Sequence, residues 1–67
     1  MNKSNKYVTK MAKIGGFEWK LVYMERGIHL CKNGVDIGTA LTEDVFTTLI
    51  NQSLKKEDCI TDMEMFN

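Results

Sequence analysis

The sequence predicts an α+β fold in the order α-β-β-β-α: a three-stranded antiparallel meander with helices packed on one face. Three observations lead there. Residues 17–41 alternate apolar and polar side chains and are interrupted by two turn dipeptides, Arg26-Gly27 and Asn33-Gly34. Lys3, Lys6, Lys10 and Lys13 recur at helical spacing ahead of Gly15-Gly16. Val45, Phe46, Leu49, Ile50 and Leu54 recur at helical spacing behind Thr42-Glu43-Asp44.

The first helix is expected over residues 4–14, with Ser4 as its N-cap. The four lysines then form one stripe, and Tyr7, Val8, Met11 and Ile14 form the opposite one. Gly15-Gly16 stops the helix. Tyr7, Thr9 and Met11 also alternate, as a strand would, but the even lysine spacing favours the helix.

The strands come next. Phe17, Trp19, Leu21 and Tyr23 alternate with Glu18, Lys20, Val22 and Met24. Ile28–Lys32 and Val35–Leu41 follow. A two-residue turn at Arg26-Gly27 pairs Tyr23 with Leu30 and Leu21 with Lys32. Asn-Gly is the strongest short hairpin signal, and a turn there pairs Lys32 with Val35, Leu30 with Ile37 and Ile28 with Thr39. Both registers collect Phe17, Trp19, Leu21, Tyr23, Ile28, Leu30, Val35, Ile37 and Leu41 on one face. The other face carries Glu18, Lys20, Val22, Met24, His29, Cys31, Asp36, Gly38 and Ala40.

Thr42 caps the second helix, Glu43 and Asp44 suit its positive N-terminal end, and Leu41 and Phe46 have the spacing of a hydrophobic staple. Residues 1–57 form the single domain. Residues 58–67 form an acidic, Met-rich tail that still carries Cys59, Ile60, Met63, Met65 and Phe66.

The helix–three strands–helix order resembles the topology of double-stranded RNA-binding domains. That family meets phosphates with lysines at the start of its last helix. Here Thr42-Glu43-Asp44 stands in that place, and Arg26-Gly27 replaces the loop that enters a minor groove. The resemblance stops at topology, which is a weak guide to function.

With 67 residues the chain holds one small core. Net charge is zero, but residues 1–33 carry seven basic side chains against two acids, and residues 34–67 carry two against seven. That asymmetry can steer a charged partner or hold two halves of a fold together. Cys31 and Cys59 lack any framework spacing, no apolar h-region follows the polar start, and no apolar run approaches the ~20 residues that span a bilayer. The expectation is a reduced, cytoplasmic protein without a membrane segment.

No catalytic, cofactor or metal motif stands out. His29 and Cys31 share a strand face two residues apart, about 7 Å between Cα atoms, too far for a direct nucleophile–base contact. His29, Cys31 and Cys59 lack recognisable zinc spacing. The expected function is therefore non-enzymatic binding: a small regulator or inhibitor of another protein, of the kind phages and mobile elements encode. The candidate protein-binding residues are Val22, Met24, His29, Cys31 and Ala40 on the open face, and Met63, Met65 and Phe66 in the tail. An alternative is nucleic-acid binding through Lys3, Lys6, Lys10, Lys13, Lys20 and Arg26. A third is a homodimer joined through the open face.

Overall fold

A computed structural model describes residues 7–67. It is a four-stranded antiparallel sheet in sequential order: β1 (Val8–Ile14), β2 (Phe17–Met24), β3 (Gly27–Lys32) and β4 (Val35–Ala40). One short helix, α1 (Phe46–Asn51), and a 3-10 turn at Lys56–Asp58 follow.

This corrects the α-β-β-β-α expectation. The segment assigned to a first helix is strand β1 over its described part, while Ser4, Lys3 and Lys6 lie outside the described residues. The reason is in the turn. Gly15 and Gly16 both take positive φ, +62° and +84°, as a two-residue primed hairpin turn requires. Ile14 therefore pairs directly with Phe17, and the chain folds back as a hairpin. Val8, Thr9 and Ile14 are β-branched, and Val8, Lys10, Ala12 and Ile14 fall on the core side by simple alternation. Of the four lysines at helical spacing, the two described, Lys10 and Lys13, fall on opposite faces of a strand.

Three strands do occupy residues 17–40, but their registers differ from expectation. Tyr23 pairs with Ile28 and Leu21 with Leu30, so the turn residues are Glu25-Arg26 and positive φ falls on Gly27. The shift is two residues. It therefore preserves which face each side chain takes. Between β3 and β4, Lys32 pairs with Val35 as the Asn33-Gly34 turn dictates. A bulge at Ile37 then moves Leu30 onto Gly38 and Ile28 onto Ala40. One extra residue reverses the alternation beyond it. Gly38 and Ala40 thus join the core side, whereas Val35 is 62% exposed and Leu41 84% exposed.

The core is Ile14, Trp19, Leu21, Ile28, Leu30, Phe46, Ile50, Met63 and Phe66. Trp19 is fully buried, and its Nε1–H donates to the Ile14 carbonyl at 3.1 Å, so the indole brings no unpaired donor inside. The helix packs where the sheet has least bulk. A Cβ on Gly38 would lie 2.8 Å from Leu49 Cδ2 and 3.9 Å from Phe46 Cε1, so a side chain there has to displace the end of Leu49 for α1 to approach this closely. The expected Thr42 cap and Leu41–Phe46 staple are absent: the helix begins after Val45 without a side-chain cap, and Leu41 faces solvent.

The tail completes the core. Asn51 clamps it: its amide donates to the Ile60 carbonyl and accepts from the Ile60 N–H, both at 2.8 Å. Met63 and Phe66 are buried, and Asn67 exchanges both backbone hydrogen bonds with Met11, at 2.7 and 3.0 Å. Such an exchange is one rung of an antiparallel ladder, laid on the outer edge of β1.

Candidate functional site

One sheet face is packed by α1 and the tail. The other is left uncovered by the described residues. Its side chains follow from the registers. Thr9, Val22, His29 and Thr39 form one row across the four strands, and Met11, Lys20, Cys31 and Asp36 form the next. Lys13 and Glu18 stand beyond one end, and Met24 beyond the other. Every residue in these rows is exposed or half-buried.

Val22, Met24, His29 and Cys31 therefore lie on the open face, but their neighbours differ from expectation. Val22 stands opposite His29 and Lys20 opposite Cys31, in place of the Val22–Cys31 and Met24–His29 pairs that a turn at Arg26-Gly27 would set alongside Tyr23–Leu30. Met11 and Cys31 are each diagonal neighbours of Val22, on either side of Lys20, with Met24 beside Val22 along β2. Diagonal neighbours lie about 7–8 Å apart, within reach of long side chains such as Met. Met11 joins this face only because β1 is a strand. A hairpin reading of Gly15-Gly16 would have found it.

Ala40 is corrected: the bulge turns it to the core side, where it packs against the buried cluster. Met63 and Phe66 are core residues, 6% and 5% exposed, rather than parts of an exposed tail. Met65 alone of the three tail candidates is exposed.

The open face also holds a polar cluster that sequence spacing does not reveal. Asp36 Oδ2 lies 2.7 Å from His29 Nδ1, and Thr39 Oγ1 lies 3.4 Å from the same nitrogen. A carboxylate only accepts, so Nδ1 carries the proton and Nε2 is the acceptor of the neutral ring. The other Asp36 oxygen accepts from the Gly38 amide at 3.1 Å, across the bulge. A hydroxyl–imidazole–carboxylate relay needs hydroxyl and carboxylate on opposite ring nitrogens. Here both address Nδ1. The cluster therefore fixes the orientation of the imidazole without forming a relay.

The described basic candidates are divided between the two faces and a turn. Lys10 lies on the packed side, 3.6 Å from Glu43 Oε2 and 5.5 Å from the centre of the Tyr23 ring, whose hydroxyl also donates to Glu43. Lys13 and Lys20 are exposed on the open face, and Arg26 is exposed at the β2–β3 turn. Lys32, on the packed side, sets its ammonium 4.2 Å from the centre of the Phe17 ring and 3.2 Å from Ser53 Oγ.

On the packed side an open groove of about 610 Å³ is lined by Lys10, Glu43, Asp44, Asp62, Met63, Glu64 and Phe66. Its lining combines four carboxylates with one ammonium, of which Glu43 lies nearest Lys10. Among the described residues, no group of three or more His, Cys, Asp or Glu side chains is placed to hold a metal ion. No helix among them is long and apolar enough to cross a membrane.

Compared with family models, curated proteins and solved structures, the chain matches none.

Proposed function

We propose that this is a small non-enzymatic binding protein, a cytoplasmic regulator or inhibitor of another protein, that docks through the open face of its sheet. The observation that supports this reading is the apolar group of Met11, Val22, Met24 and Cys31 on a face that no described element covers. Methionines adapt their shape to a partner, and the apolar group is bordered by Glu18 and Asp36, with Lys20 set between Met11 and Cys31. The imidazole held by Asp36 adds one oriented polar group at the edge of the apolar one.

The test uses the full chain and a Val22→Asp/Met24→Asp double variant, first checked to share the wild-type circular dichroism spectrum. Both are used as bait in lysate of the source cells, and both are weighed by light scattering. A protein retained by the wild type and lost by the variant supports the reading. Equal capture by both contradicts it. A wild-type dimer that the variant breaks, with no other protein retained, replaces it with self-association.

A further inference from the structure

We infer that Asn33-Gly34 is a site of spontaneous deamidation, and that the folded hairpin restrains the reaction. Asn33 is exposed at the tip of the β3–β4 hairpin and takes φ +50°, followed by Gly34 at +85°. Its neighbour has no side chain to shield the main-chain nitrogen, and that nitrogen is the nucleophile. Deprotonated by solvent base, Gly34 N attacks Asn33 Cγ. The new C–N bond closes a five-membered imide, the Cγ–Nδ2 bond breaks, and Nδ2 leaves as ammonia with a proton from water. Water then opens the imide. Cleavage at Cγ returns an aspartate in the ordinary main chain, and cleavage at the main-chain carbonyl leaves an isoaspartate linked through its side chain. Water is the sole co-reactant and nothing is oxidised or reduced.

The fold opposes the first step. For attack, the carboxamide must swing over Gly34 N. In the structure it is held elsewhere: Asn33 Oδ1 accepts the Glu18 amide at 2.9 Å, and the Asn33 amide donates to the Glu18 carbonyl at 2.7 Å. These two bonds tie Asn33 to the start of β2, on the neighbouring hairpin. The Oδ1 bond must open before the imide can close, and the main-chain bond holds Asn33 in place while it is made. The reaction is therefore limited by how often the tip opens, and local openings of this kind are rarer than the closed state in an ordered hairpin. The two products also differ in consequence. Aspartate retains an oxygen for the Glu18 amide and adds a negative charge. Isoaspartate lengthens the main chain inside a two-residue turn, so it disturbs the β3–β4 register.

The test incubates the full chain in mildly alkaline buffer, native and in denaturant. Peptide mapping by mass spectrometry follows Asn33, with Asn51, which precedes the bulkier Gln52, as the internal reference. The expected result is that Asn33 in the denatured chain converts well ahead of Asn51, and that folding slows it by at least about tenfold, as a tip open no more than about a tenth of the time requires. Equal or faster conversion in the folded chain would overturn the restraint. A denatured chain in which Asn33 converts no faster than Asn51 would overturn the site itself.

Discussion

The carboxylate of Asp36 joins two elements at once: one oxygen lies 2.7 Å from His29 Nδ1 on β3, and the other lies 3.1 Å from the Gly38 amide beyond the bulge on β4. The bulge decides which side of the sheet Gly38 and Ala40 face, so Asp36 links the open face to the packing of α1. Asp36→Ala leaves the Gly38 amide and the imidazole to water. Because the site is exposed, the expected loss is about 1 kcal/mol, the net worth of a typical hydrogen bond. Chemical denaturation reads the stability, and imidazole nitrogen shifts read whether Nδ1 loses its preferred proton. An unchanged nitrogen spectrum would contradict the contact.

Gly38 is the second point of control. A methyl group there meets the end of the Leu49 side chain, which can turn aside, whereas a larger group also meets the Phe46 ring. Gly38→Ala is expected to cost less than Gly38→Val, and the latter about 1–3 kcal/mol, typical of overpacking a core. Thermal melts of the pair give the order. A valine tolerated as well as alanine would mean that α1 does not sit on Gly38.

The tail is expected to be part of the fold. Phe66→Ala removes a side chain that is 5% exposed, and a buried phenylalanine truncated to alanine costs about 3–5 kcal/mol. For a domain of this size that is a large share of total stability. Met65→Ala, at an exposed position, is expected to change stability by no more than about 0.5 kcal/mol. Equal melting temperatures for the two variants would show a tail that does not pack.

The division of the lysines predicts weak nucleic-acid binding. Lys10 and Lys13 face opposite sides of the sheet, and Lys10 is engaged with Glu43. Fluorescence anisotropy with labelled single- and double-stranded DNA and RNA, at about 50 and 200 mM salt, is expected to show no tight complex whose affinity falls steeply with salt. A steep slope lost on Lys13→Glu/Lys20→Glu would make the open face a phosphate-binding surface.

These results also show what local patterns can carry. Phe17–Met24 is legible as a strand because its alternation is long and its residues favour strands. The buried set Trp19, Leu21, Ile28 and Leu30 survives even a wrong turn assignment, because the error was two residues and the side-chain period is two. Residues 8–14 fit two periods at once. Lysines at helical spacing compete there with alternating Val8, Lys10, Ala12 and Ile14, and the hairpin formed with β2 decides between them. The bulge at Ile37 leaves no sequence signature, yet it moves Ala40 from one face to the other. His29 and Asp36 meet across that bulge, so no spacing rule announces them. Met63 and Phe66 reach the core from an irregular segment, which periodicity cannot assign.

The central claim is that the open face is where a partner docks. The most direct measurement places a photo-crosslinking residue at position 22 on that face, and in a second protein at position 48, exposed on α1, and irradiates each in lysate of the source cells. The account predicts a discrete protein adduct from position 22 and none from position 48. An adduct from position 48 with none from position 22 would contradict it and move the binding surface to the helical side.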